Sequence, residues 1–169
     1  MPGSDSQQAP RASAPRVQIR PALAGEADLL SNIAIQAKAH WDYAPADLAR
    51  WRAELIVAPG AIEVCPTWVA QIDGSAVGFY MLVTGTTQWV LEHLWVLPRA
   101  MGQGVGRALL RHAVRLAADH DACSLAIDAD PNAEPFYLAC GARRVGEIAA
   151  PVDGHPDRVR PQLLLAVSR

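Results

Sequence analysis

Residues 101–106, Met-Gly-Gln-Gly-Val-Gly, set three glycines at alternate positions directly after an apolar run and directly before a helical pattern. Gly102, Gly104 and Gly106 let the main chain approach a ligand closely, and the unpaired N–H groups of a first helical turn then face it. The helix dipole adds partial positive charge at that end. Met101, Gly102, Gln103, Gly104, Val105, Gly106 and Arg107 are therefore expected to cradle a pyrophosphate. The spacing excludes two other phosphate loops: Leu109 stands where a dinucleotide fingerprint needs its last glycine, and no Gly-Lys-Ser/Thr closes the run. A second conspicuous group is Glu92-His93, a polar pair inside the apolar run Gln88 to Leu97. Either is a candidate proton acceptor, and strand alternation sends the two to opposite faces, so one of them should meet a cleft. The third is Asp130 to Ala142, where Asn132 reads as a helix N-cap, Pro135 as a first-turn residue and Gly141 as a left-handed C-cap, with Phe136-Tyr137 between them.

The elements that must position these groups follow from periodicity. Arg16 to Arg20 reads as a short strand ending at Pro21. Ala24 to about His40 reads as a helix with Leu29, Leu30, Ile33 and Ala37 on its apolar face, and Pro45 to Val57 as a second helix stopped by Pro59-Gly60. Thr67 to Ile72 and Ala76 to Thr84, joined by Asp73-Gly74-Ser75, form a hairpin signal. Gln88 to Leu97 should be a central strand with apolar residues on both faces, Val90, Leu94 and Val96 against Leu91, Trp95 and Leu97. The helix after the glycine loop should bury Val105, Leu109, Ala113 and Leu116, while Arg107, Arg111 and Arg115 form a solvated stripe whose first member lies beside the loop. Strands at Ser124 to Asp128, Arg143 to Ile148 and Gln162 to Val167, with a helix at Asn132 to Cys140, complete the order β-α-α-β-β-β-α-β-α-β-β. Interleaving without strict alternation gives an α/β (mixed α+β) class with a mixed sheet and helices on both of its faces.

Composition bounds the partners. The chain has 169 residues, enough for one domain with a continuous core. Lys and Arg number 15 against 17 Asp and Glu, a net charge of -2, which leaves no basic excess for nucleic acid. The three cysteines, Cys65, Cys123 and Cys140, have neither a paired nor a zinc spacing and read as buried thiols of a reducing compartment. No apolar run reaches the length of a membrane helix and no secretory signal is evident, so a soluble, cytoplasmic protein without membrane or nucleic-acid partners is expected. Residues 1–15, rich in Ala, Ser, Gln and Pro, read as a disordered tail, leaving 16–169 as the folded domain.

The glycine loop and the Asn132 block together resemble the GNAT superfamily of N-acetyltransferases. Its acetyl-CoA loop is written Gln/Arg-x-x-Gly-x-Gly/Ala and falls on Met101 to Gly106; its second block carries Phe-Tyr followed by Gly-Phe, here Phe136-Tyr137 and Gly141-Ala142. Met101 replaces the usual Gln or Arg, which removes one side-chain donor and is expected to weaken cofactor affinity. The Ala39 to Tyr43 region is similar to a branch of small bacterial GNAT proteins. The resemblance implies a GNAT-type, mostly antiparallel twisted sheet and acetyl-CoA as co-substrate. It implies that backbone groups of Leu94, Trp95 and Val96 pair with the pantetheine arm like an extra strand, that Asn132 contacts the pantetheine, and that Tyr137 faces the sulfur.

Acetyl transfer from a thioester needs a neutral amine, stabilisation of a developing oxyanion and relief of charge on sulfur. An amine of pKa roughly 10.4 needs a base at neutral pH, whereas an α-amino group near roughly 7.7–8.0 scarcely does. Glu92 is the first choice, with burial expected to raise its pKa, acting directly or through water; His93 titrates near neutrality without help and is its rival. Tyr137 would hydrogen-bond to the departing thiolate, full proton transfer being uphill by about 2 kcal/mol. Trp41 and Tyr43 border the acceptor side, or else pack as core. Asp128, Asp130 and His155 are too scattered for a metal site and the chemistry needs no metal. The expected acceptor is a primary amine of a small molecule or a peptide, and the expected assembly a monomer or homodimer. The alternative function is a non-catalytic acyl-CoA sensor, which the Met101 replacement keeps open.

Overall fold

The computed structural model describes residues 16–167; the tail expected at 1–15 lies outside the described residues. One seven-stranded sheet has the order β1-β2-β3-β4-β5-β7-β6, from β1 (Gln18–Pro21), β2 (Thr67–Ile72), β3 (Ser75–Val83), β4 (Gln88–Val96), β5 (Ser124–Asp128), β6 (Arg143–Ala149) and β7 (Val159–Ala166). Every neighbouring pair is antiparallel except β4 with β5, which run parallel. The helices are α1 (Ala27–Lys38), α2 (Pro45–Trp51), α3 (Pro59–Val64), α4 (Val105–Asp119) and α5 (Glu134–Ala139). The mixed, mostly antiparallel sheet read from the sequence is the one formed.

Two cores cover its faces. On one, α4 lays Val105, Leu109 and Ala113 against Tyr80, Leu82, Leu91 and Leu125; on the other, α1 lays Leu30, Ile33 and Ala34 against Phe79, Met81 and Leu97. The alternation of Phe79, Tyr80, Met81 and Leu82 between the two clusters is the period-two pattern of a strand buried on both sides.

Several sequence expectations need correction. Leu29 is exposed, and α1 buries Ala27, Leu30, Ile33, Ala34 and Ala37, a stripe that the 3.6-residue repeat places one position away from it. The second helix ends early: α2 stops at Trp51, a 3-10 turn covers Arg52–Leu55, and Val57 is held by Ser31 Oγ, which accepts its N–H at 2.9 Å. Pro59 then starts α3 rather than ending a helix, since its missing N–H is harmless at the first helical position. On α4, Leu110 and Ala117 are buried and Leu116 is only partly so. Cys123 is exposed, and Cys65 and Cys140 are half-buried, so these are not core thiols.

The turn Asp73-Gly74 has positive φ at both residues, 50° and 77°, the hairpin geometry that matches strand twist. Gly78 serves a different need. A Cβ there would lie 2.7 Å from the Trp95 carbonyl oxygen, 3.3 Å from Val96 Cα and 3.2 Å from Leu109 Cδ1, so β3 reaches β4 only because the side chain is absent. Gly78→Ala is therefore expected to destabilise the protein by about 1–3 kcal/mol through overpacking, read as a lower urea midpoint at constant slope; an unchanged midpoint would show that the strands yield freely.

Candidate active site

The site begins with a fault in β4. Met81 of β3 pairs with His93 and Leu82 with Leu91, so Glu92 is an extra residue with no partner, a β-bulge. The bulge breaks the alternation expected along this strand. Leu91 joins Leu94 and Val96 on the α4 face, while Trp95 and Leu97 lie on the α1 face. Glu92 and His93 consequently border the same cavity rather than opposite faces. Beyond the bulge β4 also leaves β5: the parallel pairing covers Gln88–Val90 with Ser124–Ala126, and from Leu91 to Val96 the strand pairs with β3 alone. Peptide groups on the free edge of β4 then face an open wedge, where they need a partner.

The wedge is a cleft of about 410 Å³ lined by Leu94, Trp95 and Val96 on one side and by the glycine loop and the Asp130 block on the other. Gly102 and Gly104 adopt φ of 75° and 81°, the left-handed region that favours glycine, and Gly104 is the N-cap of α4. The first intrahelical bond is Ala108 N–H to Gly104 O at 2.9 Å, which leaves the amides of Val105, Gly106 and Arg107 at the helix start without an intrahelical acceptor. Gly106 packs near Phe136, whose ring would be 3.4 Å from a Cβ at that position. Met101, Gly102, Gly104, Gly106 and Arg107 line the cleft. Gln103 does not; its side chain donates to Arg99 O at 2.8 Å. Val105 is 1% exposed, so it offers its amide and not its side chain.

Opposite the loop, Tyr137 is buried and lines the cleft, and among the described residues no hydrogen bond engages its hydroxyl. Burial pushes the phenol well above its ordinary value, with the nearby Cys140 and Asp130 adding to the effect, so it remains protonated at neutral pH. Asn132 is not the N-cap. Asp130 takes that role, accepting from Asn132 N at 2.9 Å, because a 3-10 turn (Pro131–Ala133) precedes α5. The Asn132 side chain donates to Tyr43 Oη and Asp130 Oδ1, each at 3.0 Å. Trp41 lines the cleft, but Tyr43 lies behind its wall.

A second cavity of about 540 Å³ adjoins the first, and Trp95 and Asp130 belong to both. Glu92 lines it and is exposed, so the desolvation expected of it is absent, because the bulge turns this residue outward. His93 is half-buried; burial lowers its pKa and the charge of Glu92 only partly opposes this. The Trp95 indole donates to His93 Nδ1 at 3.0 Å. Since an indole N–H can only donate, the neutral ring carries its proton on Nε2 and its single lone pair is already used. His93 is thereby disfavoured as a base.

The sequence reading missed the cluster at the junction. Asp130 binds Lys38 Nζ, accepts from Tyr43 Oη at 2.9 Å and lies 3.8 Å from Arg158 Nη2. Burial opposes ionisation of Asp130, but the charge and hydrogen bond of Lys38, the Asn132 amide and the Tyr43 hydroxyl outweigh it and hold the carboxyl below its ordinary value. Lys38 and Arg158 are separated from Asp130 by 92 residues and 28 residues, and no local pattern links them. Asp-Pro-Asn, a turn signal at 130–132, was the one available hint.

A model of the acetyltransferase (GNAT) family matches residues 33–142, which takes in the second half of α1, the β4 wall of both cavities, the glycine loop and α5. Solved structures share the fold. A GCN5-related N-acetyltransferase from Rhodopseudomonas palustris superposes with a TM-score of 0.72 at 22% identity, covering 91% of this chain and 96% of that one. The PaiA N-acetyltransferase of Thermoplasma acidophilum, in complex with coenzyme A, gives 0.71 at 15% identity over 89% and 99%. The IAA acetyltransferase of Bacillus cereus gives 0.62 at 20% identity over 89% and 99%. Among the described residues no helix is long and apolar enough to cross a membrane.

With its carboxylate depressed, Asp130 contributes stability that is full above the ordinary aspartate value near ~3.9 and is lost as pH falls through its lower folded value. Asp130→Asn, which leaves two buried cations without their anion, is expected to cost about 3–5 kcal/mol at pH 7 and to flatten the acid limb of stability against pH, measured by urea titration from pH 7 to pH 2. Equal midpoints for the two proteins at pH 7 would remove the cluster from the stability of the fold.

Proposed function

Because the chain belongs to the acetyltransferase (GNAT) family, we propose that it transfers an acetyl group from acetyl-CoA to the nitrogen of a primary amine. The observation that carries the reading is the wedge between β4 and β5, which brings free strand peptides, the amides that open α4 and the buried Tyr137 hydroxyl to one cleft. These groups suit the three parts of the donor. The amides of Val105, Gly106 and Arg107 suit the pyrophosphate, with Arg107 adding charge. The edge of β4 at Leu94, Trp95 and Val96 suits the amide-bearing pantetheine, as an added strand would. The Met101 side chain offers no donor, so the main chain carries the phosphate contacts.

Bound acetyl-CoA supplies the activated acetyl thioester. The net reaction forms a C–N bond, breaks the C–S bond, releases one amine proton and returns one proton to sulfur. Glu92 takes the amine proton, through water, from the cavity that meets the cleft at Trp95. Tyr137, kept neutral by burial, donates a hydrogen bond to the departing sulfur and lowers its charge before it is protonated. Trp41 closes the cofactor side of the junction, and Tyr43 acts from behind the wall through Asp130 and Asn132. The cofactor and the acceptor thus reach Trp95 from different cavities, as direct transfer requires.

Thiol release from acetyl-CoA, followed with a panel of amines, tests the reading. Amine-dependent release supports it, whereas tight coenzyme A binding with no release under any amine would make the protein an acyl-CoA sensor. Tyr137→Phe is expected to lower kcat by about 10²-fold or more with little change in coenzyme A affinity, and unchanged kcat removes Tyr137 from the chemistry. Glu92→Gln is expected to lower kcat by about 10²-fold with coenzyme A affinity unchanged; an unchanged kcat would leave proton removal to water alone.

A further inference from the structure

The acceptor-side cavity holds a charge arrangement that amine transfer by itself does not use. The side chains of Lys38, Arg158 and Asp130 are exposed by only 11%, 9% and 8%, so two buried cations share one buried carboxylate. Their donors are also in surplus. An ammonium has three N–H groups and a guanidinium five; Lys38 spends one on Asp130, and Arg158 donates to Ala150 O at 3.0 Å and Tyr43 Oη at 3.1 Å. Arg160, on the same cavity, pairs with Asp128 at 2.9 Å while its Nε is buried with no partner.

Aromatic faces carry part of this field. Lys38 Nζ lies 4.8 Å and 4.5 Å from the Tyr43 and Trp51 ring centroids, and Arg158 Cζ lies 5.2 Å and 5.1 Å from the same rings. Such contacts offset desolvation but do not neutralise a charge. Buried charge without a counterion is costly, so an anion brought by a ligand would be strongly held here. The wall formed by β4 has the opposite character, with the exposed carboxylate of Glu92 beside the half-buried His93; Glu54, from the 3-10 turn after α2, is a further exposed carboxylate on the cavity. One cavity therefore presents an acidic side along β4 and a cationic side along α1 and the approach to β7, the pattern that complements a zwitterion.

We propose that the acceptor is a free amino acid, its carboxylate bound by Arg158 and Lys38 and its amine held on the β4 side next to Trp95. A protein N-terminus is disfavoured, because its first residue presents an uncharged amide where this cavity presents unspent cationic donors. The place of the amine rests on the acetyl-transfer reading; the carboxylate site does not.

Two measurements on the full chain separate these. Calorimetric titration of the coenzyme A-loaded protein with N-acetyl alanine, leucine, phenylalanine, glutamine and glutamate, each beside its α-carboxamide, reads the carboxylate site without turnover. Thiol release with the matching free amino acids and amino acid amides reads transfer. The best free acid is expected to bind about tenfold or more tighter than its amide, as charged hydrogen bonds imply, and to show the same preference in kcat/KM. Arg158→Gln should collapse the acid-to-amide ratio and Arg158→Lys should restore part of it. If Arg158→Gln does not fold, the wild-type ratio decides alone. Acids that bind preferentially in a protein that acetylates nothing would uphold the carboxylate site and end the transfer reading. Equal binding of acids and amides, or amides acetylated as well as acids, would overturn the proposal while leaving transfer intact.

Discussion

The functional geometry depends on one extra residue in β4. Glu92 has no partner on β3, and a strand carrying an unpaired residue bends and twists more strongly at that point. The bend takes β4 off β5 after Val90, in the middle of a sheet whose central strands would otherwise be paired on both edges. Backbone N–H and C=O groups exposed in a largely apolar wedge are satisfied only by water or by a ligand that itself carries amides. The same residue turns its own carboxylate into the neighbouring cavity and brings His93 round beside it. The cleft and the cavity beside it, the proposed sites of cofactor and acceptor, thus both adjoin a single irregularity, and they meet at Trp95.

Asp130 ties the halves of that junction together. It caps the turn that precedes α5, and so fixes Tyr137; it also binds Lys38 at the end of α1 and stands near Arg158 ahead of β7. Three parts of the chain that are distant in sequence converge on one carboxylate. Ion clusters of this kind are poor value as stability alone, since desolvating each charge offsets much of the attraction. Their worth here is positional: the cluster sets where α1, α5 and the β6–β7 connection stand relative to the open edge of β4, and it leaves two buried cations to one buried carboxylate beside the second cavity. The Tyr43 and Trp51 rings, packed edge to face at 4.9 Å, keep both cations in place without neutralising them.

The two buried faces of the sheet impose a further limit. Gly78 has no room for a side chain against the Trp95 carbonyl, and a Cβ at Gly106 would rest in ordinary contact with Phe136 and Val96. Strand, helix start and α5 are therefore in contact at close range around the cleft. Close packing of this kind holds the free amides of α4 at a fixed distance from the β4 edge, the preorganisation that the proposed extended, anionic donor would need.

Much of this was readable from the chain itself. Alternating glycines after an apolar strand dictate a turn with positive φ and a helix start with spare amides, whatever surrounds them, and the Asp73-Gly74 hairpin and the capping glycine Gly141 (φ of 95°) follow from equally local chemistry. The membership of the family was legible in the same local blocks, Met101 to Gly106 and Asn132 to Ala142. The faces of β4 were not legible, because period-two counting assumes an unbroken ladder and a bulge is decided by what the neighbouring strands demand. Nor was the N-cap, read as Asn132, because the 3-10 turn that precedes α5 starts two residues earlier and is capped by Asp130. The Lys38, Asp130 and Arg158 cluster lay beyond any sequence pattern, since its members meet only after α1, β5 and β7 have taken their places. The chain alone determined which groups could bind a diphosphate, because that depends on conformational freedom within a few residues; the tertiary structure alone decided which charges share a cavity, because burial and pairing depend on contacts between residues far apart along it.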